Sequence, residues 1–165
     1  MNCPFEKKYP SSLRRDDEYY MTLAYNLAIE AYKAEEVPVG ALIVKGAEVI
    51  ASARNQVEKL KDPTAHAEML CITQAADTIK DWRLDGCILY VTKEPCPMCA
   101  GALMLGRINK VIYATSDPKM GGNGGAISIH QLPGSFHRYE SQQGPLREDC
   151  TALIKAFFEQ KRQET

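Results

Sequence analysis

Residues 90–103 read YVTKEPCPMCAGAL and join an apolar segment to the start of a helix. Pro97 suits the first turn of that helix, because the proline nitrogen needs no hydrogen-bond partner there. Cys96 and Cys99 then lie three residues apart on one face of the turn. The unpaired backbone N–H groups of a helix start favour thiolate over thiol, and thiolates are zinc ligands. The segment therefore predicts a cysteine pair that binds a metal or performs redox chemistry.

A second motif precedes it at residues 62–68, which read DPTAHAE with Thr64 as the expected N-cap of another helix. His66 would add an imidazole to the two thiolates, and three protein ligands are typical of a catalytic zinc site with one position left for water. Residues i and i+2 of a helix do not face each other, so Glu68 would stand to one side of the metal. A carboxylate there can take a proton from a zinc-activated water and deliver it to a substrate.

Other interpretations fit each motif taken alone. A Cys-x-x-Cys pair can be a redox centre that needs no histidine. A structural zinc would take a fourth ligand, for which His130 or His137 is available. A histidine and a glutamate at a helix start can also be ordinary polar surface. Both motifs occur here in order, each at a helix start, and this combination is the signature of zinc-dependent nucleobase deaminases.

Apolar periodicity predicts the elements around these motifs. The expected helices cover residues 16–35, 64–80, 96–108 and 145–163, and the expected strands cover residues 39–46, 47–54, 86–92 and 110–115. The first two strands form a hairpin around Lys45–Ala47, and residues 55–63 form a loop. The second helix should bury a stripe made of Met69, Ile72, Thr73 and Ala76. Strands alternating with helices predict an α/β domain in which helices cover a central sheet.

The composition restricts the class of protein. The chain has 165 residues, which fits one domain over residues 1–165, and 45% of them are hydrophobic. We expect residues 1–15 to form a flexible N-terminal arm. The formal net charge of −1 gives no general attraction to phosphate. No apolar run is long enough for a membrane helix or a secretory signal, so we expect a cytoplasmic protein without membrane contact.

The remaining thiols share no short spacing; they are Cys3, Cys71, Cys87 and Cys150. This pattern favours reduced cysteines over a disulfide framework. Buried small side chains are the expected role of such thiols.

The sequence closely resembles the bacterial tRNA-specific adenosine deaminase family of the cytidine deaminase-like superfamily. The matching segments span most of the chain; they are EVPVGALIV at 36–44, Asn55, DPTAHAE at 62–68, YVTKEPCPMCAGAL at 90–103, SDPKMG at 116–121, PGSFHR at 133–138 and DCTALIKAFF at 149–158. The zinc motifs alone identify the superfamily, whereas the flanking segments narrow the resemblance to the tRNA branch. Lys93 departs from the pattern, because relatives commonly have an apolar residue there.

The resemblance implies a three-layer α/β/α fold with a central mixed sheet of about five strands. It implies one Zn²⁺ per subunit, no organic cofactor, and a homodimer that binds a tRNA anticodon stem-loop. The reaction would be hydrolytic deamination of the wobble adenosine to inosine. A deaminase of the same superfamily that acts on free guanine, cytosine or a nucleoside is the alternative.

The resemblance also implies a role for each matching site residue. His66, Cys96 and Cys99 would hold the zinc, and Glu68 would act as the catalytic proton shuttle. Asn55 would contact the base and Val37 would line its pocket. Asp117 and Lys119 would lie in a loop pressed against the anticodon.

Overall fold

A five-stranded sheet with the order β2-β1-β3-β4-β5 forms the centre of the structure, a computed structural model that describes residues 1–11 and 13–165. The strands are β1 (Gly40–Lys45), β2 (Glu48–Arg54), β3 (Cys87–Lys93), β4 (Lys110–Thr115) and β5 (Glu140–Gln143). β1 runs antiparallel to β2 and β3, while β3, β4 and β5 run parallel. The mixed sheet expected from the resemblance is confirmed, and so is the β1–β2 hairpin.

Helices cover both faces of this sheet. They are α1 (Asp17–Lys33), α2 (Val57–Leu60), α3 (Ala67–Ile79), α4 (Pro97–Leu105) and α5 (Arg147–Glu164), with a single 3₁₀ turn at Ile129–Gln131. Alternation along β1 sends Leu42 and Val44 into a core shared with α1 and α5, and sends Ala41 and Ile43 into a second core shared with α3 and α4. The three-layer α/β/α fold is therefore confirmed.

The start of α3 differs from the sequence prediction. Thr64 is not the N-cap, because its hydroxyl donates to the Asp62 carboxylate at 2.7 Å. His66 is the N-cap residue, in extended backbone conformation, and its side chain makes no capping hydrogen bond. The helix therefore begins at Ala67, which leaves the imidazole of His66 free to point away from the helix.

The predicted buried stripe of α3 is wrong. The side chains that face the sheet are small, namely Ala67, Cys71 and Ala75, and they recur every four residues. Small residues let the helix approach the sheet closely, so apolarity alone did not identify the buried face. Of the stripe expected from the sequence, Thr73 is exposed and Ile72 packs only at the edge of the core.

Two short elements were not predicted from the sequence. α2 lies inside the segment 55–63, which the sequence marks as a loop. β5 has the polar sequence ESQQ and lies at the edge of the sheet, where a strand does not need an apolar face. The prediction that residues 55–63 form only a loop is therefore wrong. The apolar pattern also failed to predict the fifth strand.

The N-terminal segment makes specific contacts over its first part. The α-amino group of Met1 donates to the Lys33 carbonyl oxygen at 3.2 Å. The backbone of Lys8 exchanges two hydrogen bonds with the side chain of Asn26, at 2.8 and 2.7 Å. The flexibility expected for residues 1–15 stays a prediction. Within the described residues, no helix combines the length and the apolarity needed to cross a membrane.

Gly40 sets the distance between α1 and the sheet. A Cβ at this position would overlap the carbonyl oxygen of Ala24 and lie 2.8 Å from the nitrogen of Ala28, both in α1. The close contact between this helix and β1 therefore requires a residue without a side chain.

We expect Gly40→Ala to lower the free energy of unfolding by about 1–3 kcal/mol, because α1 must move away from the sheet. Thermal unfolding followed by circular dichroism should show a melting temperature lower by roughly 2–4 °C per kcal/mol. The spectrum at low temperature serves as a control for native secondary structure. An unchanged melting temperature would show that the helix–sheet contact tolerates the methyl group.

Candidate metal centre and its cavity

The N-termini of α3 and α4 meet beside the carboxyl end of β3. Cys96 is the N-cap residue of α4, Pro97 occupies its first turn, and Cys99 follows within that turn. The Nδ1 atom of His66 lies 3.6 Å from the Sγ atom of Cys96 and 3.6 Å from the Sγ atom of Cys99. The sequence prediction that both sulfurs share one face with an imidazole nearby is confirmed.

These three donors fit a zinc ion. Their ligand atoms all lie within 4.8 Å of one another. Tetrahedral zinc, with Zn–N near 2.0 Å and Zn–S near 2.3 Å, requires nitrogen and sulfur ligands to be about 3.6 Å apart. One imidazole with two thiolates is also a donor set that zinc prefers over hard cations. His66, Cys96 and Cys99 could therefore hold one zinc ion.

No fourth protein donor joins this group among residues 1–11 and 13–165. The Nε2 atom of His137 is 2.7 Å from the carbonyl oxygen of Ile108, and the ring of His130 packs at a tilt against Tyr139, with the ring centroids 5.9 Å apart. The alternative of a structural zinc with four protein ligands therefore has no support from the two histidines that the sequence offered for it. Three protein donors leave a coordination position for water.

With no metal ion bound, the pKa values of the two thiols of the site shift in opposite directions. The hydrogen bond from Cys99, together with the one from His66, lowers the pKa of Cys96 to about 4 despite partial burial. The same bond to Cys96 and burial raise the pKa of Cys99. The hydrogen bond to Cys96 also raises the pKa of His66. A cation that replaces these protons makes all three groups ligands, so metal binding must release protons.

Glu68 is a buried carboxyl group next to this centre. Its exposure is only 4%, and it lies in the first turn of α3. Burial raises the pKa of Glu68 to about 7, while the His66 and Lys93 charges act in the opposite direction. Glu68 is not among the three donors, yet it lines the same cavity as His66 and Cys96. A carboxyl group with a pKa near neutrality can both accept and return a proton.

Asn55 provides the capping hydrogen bond that His66 does not make. Its Oδ1 atom accepts from the backbone N–H of Ala67 at 2.8 Å, and its exposure is 6%. This contact fixes the start of α3 and leaves the imidazole of His66 available to a metal. Because the oxygen of the amide is used in this way, the Nδ2 group is the part of Asn55 that remains for a ligand in the cavity.

A cavity of about 1010 Å³ opens over the metal centre. It brings together five of the residues predicted from the sequence; they are Val37, Asn55, His66, Glu68 and Cys96. Cys99 lies beneath them and is fully buried. Asp117 and Lys119 are not part of the cavity wall; they lie in the loop that follows β4, where Lys119 is exposed.

Sequence reasoning missed several residues of this cavity. Phe158 and Lys161 enter its wall from α5, and Lys59 and Lys61 enter it from α2 and its C-cap. The short helix α2 is held by Glu36, a buried carboxylate that accepts the backbone N–H groups of residues 58 and 59 at 3.1 and 2.8 Å. Phe158 directly follows Phe157, whose side chain is buried in the core.

Glu94 organises the loop over residues 117–125. Its carboxylate is buried and accepts three backbone N–H groups, from Asp117 at 3.1 Å, Asn123 at 3.0 Å and Gly125 at 2.9 Å. A Cβ at Gly121 or at Gly125 would overlap the Glu94 carboxylate, which explains these two glycines. The backbone of this glycine-rich segment therefore surrounds the carboxylate of Glu94. The cluster of glycines was visible in the sequence, but nothing in it pointed to Glu94.

Comparison with known proteins agrees with the site. The family model described as MafB19-like deaminase matches residues 15–162. The tRNA-specific adenosine deaminase of Aquifex aeolicus (strain VF5) is 47% identical over 145 residues, which is 88% of this chain and 95% of the relative. The protein of the same name from Bacillus subtilis (strain 168) is 43% identical over 148 residues, covering 90% and 92% of the two chains.

Solved structures give the same fold. A structure from a study of A-to-I editing by tRNA:A34 deaminases superposes with a TM-score of 0.80 at 35% identity, covering 82% of this chain and 99% of that one. A guanine deaminase from Bacillus subtilis superposes with a TM-score of 0.60 at 32% identity, covering 87% and 94%. The chain belongs to the MafB19-like deaminases and, within them, to the tRNA-specific adenosine deaminase family.

Proposed function

We propose that this enzyme hydrolytically deaminates adenosine to inosine at the wobble position of a tRNA anticodon. The observation that carries the proposal is a group of three zinc-type donors with a buried carboxyl group beside it, both facing one open cavity. The relatives that are 43% and 47% identical to this chain are named tRNA-specific adenosine deaminase, and the structure that superposes with a TM-score of 0.80 comes from a study of deaminases that act at the wobble position. Deamination exchanges the amino group at C6 of adenine for an oxygen from water and releases ammonia.

The metal site and Glu68 divide the chemistry of this exchange. When His66, Cys96 and Cys99 hold zinc, the ion supplies a Lewis acid that makes a water molecule acidic enough to react near neutral pH. Glu68 carries two protons in turn: it takes the first from the attacking water and delivers it to N1 of the adenine, and it takes the second from the hydroxyl then bonded to C6 and delivers it to the amino group, which leaves as ammonia. The raised pKa of Glu68, caused by its burial, suits a group that must both take and return a proton.

Asn55 and Val37 are the proposed base-binding residues. The Nδ2 group of Asn55 would donate to an acceptor atom of the purine, and its position is fixed by the hydrogen bond to Ala67. Val37 offers an apolar wall against which the base can pack. Both residues act on a base that has left its stack, as is usual for readers of single-stranded RNA loops.

The proposed partner is the anticodon stem-loop, bound by a homodimer in the cytoplasm. A cavity of about 1010 Å³ lies at the upper limit of small-molecule sites and leaves room for flanking nucleotides. Lysines stand around it although the net charge of the chain is only −1. The loop that contains Asp117 and Lys119 would face the anticodon from the side of β4.

A deaminase of free guanine is the second candidate, since the guanine deaminase from Bacillus subtilis is 32% identical to this chain. We expect the zinc-loaded protein to release ammonia and form inosine from an anticodon stem-loop with adenosine at the wobble position, and to leave free guanine and cytosine unchanged. Glu68→Gln should keep its zinc and lose about 10²–10⁴-fold in kcat, because no group then shuttles the proton. Nucleoside analysis by mass spectrometry gives the rates. Turnover of guanine beside an inert stem-loop would overturn the tRNA assignment.

Removing one thiolate tests the metal centre separately from catalysis. Cys96→Ala should lose most of the zinc after dialysis, because two donors hold the ion far more weakly than three. Cys150→Ala removes a buried thiol from α5, on the other side of the sheet, and should keep one zinc per chain. Elemental analysis of the purified proteins measures the difference. Equal zinc content in the two variants would contradict the assignment of Cys96.

Asn55→Asp separates the two functions of the amide. The aspartate keeps an oxygen acceptor for the Ala67 N–H but cannot donate to a base. We expect a loss of about 1–3 kcal/mol in transition-state binding, which is roughly 5–150-fold in kcat/KM for the stem-loop. Zinc content and melting temperature should stay near those of the wild type. A wild-type kcat/KM for Asn55→Asp would exclude Asn55 as a hydrogen-bond donor to the base.

A further inference from the structure

Lys93 is a charged residue of the cavity wall that is neither a metal ligand nor the proton shuttle, although its charge acts against the burial that raises the pKa of Glu68. It is the last residue of β3 and stands three residues before Cys96. It lines the cavity together with His66, Glu68 and Cys96. Its side chain is partly exposed, at 32%.

The ammonium group of Lys93 is held by Asp117. Its Nζ atom lies 2.7 Å from the Oδ2 atom of Asp117, whose side chain is only 16% exposed. The other carboxylate oxygen, Oδ1, accepts the backbone N–H groups of Lys119 and Met120 at 3.0 and 3.1 Å. Both oxygens of Asp117 are therefore already engaged, and this residue is not part of the cavity wall. The group of this pair that faces the cavity is the cation.

The position of Asp117 is fixed by the loop that Glu94 organises. The backbone N–H of Asp117 donates to Glu94, the residue directly after Lys93. Lys93 and Asp117 are thus joined twice, by the ion pair and by a hydrogen bond to the adjacent residue. Because Lys93 is already held in the folded protein, its side chain loses little conformational entropy when a ligand binds. This preorganisation favours tight binding.

We propose that Lys93 contacts a backbone phosphate of the RNA next to the reacting nucleotide, and that Asp117 is a positioning residue that acts through Lys93. The proposal rests on the proposed function. An ammonium group has three N–H donors, of which Asp117 uses one, so the others are available to a phosphate. Lysine binds phosphate as a point charge and does not need bidentate geometry. The ion pair with Asp117 holds the ammonium group of Lys93 at the cavity wall.

The test compares Lys93→Met with wild type on the zinc-loaded protein and an anticodon stem-loop. We expect KM to rise about 10-fold at low salt, because a phosphate contact contributes to binding. A change in kcat reports separately the loss of the Lys93 charge near Glu68. The dependence of log(kcat/KM) on log[salt] should become less steep by about 0.7, the value for one phosphate of a single strand. Lys93→Arg, which keeps the charge, should restore most of the lost affinity.

A matched control removes another lysine with an aspartate partner. Lys8 pairs with Asp149 at 3.2 Å and lies outside the cavity. Lys8→Met changes the net charge by the same amount and should leave KM and the salt dependence as in wild type. Melting temperature and zinc content of every variant show whether the fold and the metal centre are intact.

A double-mutant cycle tests the role of Asp117. Asp117→Asn keeps the Oδ1 acceptor for the loop N–H groups but removes the negative charge that holds Lys93. We expect it to raise KM in wild type and to add nothing in the Lys93→Met background, because its effect passes through the lysine. Additive effects would mean that Asp117 contacts the RNA itself, and would overturn the positioning role.

The failure of this proposal is distinguishable from a failure of the proposed function. If wild type forms inosine in the stem-loop and Lys93→Met has the same KM and salt dependence, Lys93 is a structural ion pair and only the present inference is wrong. If KM rises without a change in salt dependence, the contact is to a base or sugar and the phosphate assignment is wrong. If wild type does not act on the stem-loop, both proposals are wrong.

Discussion

The meeting of two helix N-termini is the constraint on which the rest of the structure depends. α3 and α4 both begin at the carboxyl end of β3, so that an N-cap histidine and an N-cap cysteine face each other. The unpaired N–H groups of these helix starts favour negative charge, which stabilises thiolates close together. Neither N-cap residue uses its side chain for capping, and Asn55 supplies the missing hydrogen bond to α3. The start of α3 is therefore capped from another part of the chain, and the side chains of both N-cap residues remain available for a metal.

The two carboxyl groups nearest to the centre have different environments and different tasks. Glu94 accepts three backbone N–H groups and holds a loop in place. Glu68 is equally buried but has fewer polar partners, and its raised pKa reflects the cost of burying a charge. One carboxylate is suited to structure and the other to proton transfer. This division follows from hydrogen bonding rather than from position in the sequence.

The sequence was sufficient for the parts of the site that are local. Cys96 and Cys99 share one helical turn, the helix start at residues 62–68 indicated His66 and Glu68, and the family resemblance supplied Asn55. Contacts between distant segments were not predictable, because neither the small buried face of α3 nor the polar edge strand β5 carries a clear hydrophobic pattern. The link from Glu94 to the loop at 117–125 spans up to 31 residues, and no periodicity reports it. The ion pair between Lys93 and Asp117 is another contact between distant segments that no sequence pattern predicts.

X-ray absorption at the zinc edge tests the central claim most directly, because it reports the number and type of ligands around the ion. For the purified wild-type protein we predict two sulfur neighbours at about 2.3 Å and two nitrogen or oxygen neighbours at about 2.0–2.1 Å, one of them from water. Substitution of Glu68 should leave this pattern unchanged. A shell completed by a third sulfur or a second imidazole would contradict an open, catalytic zinc site in this chain.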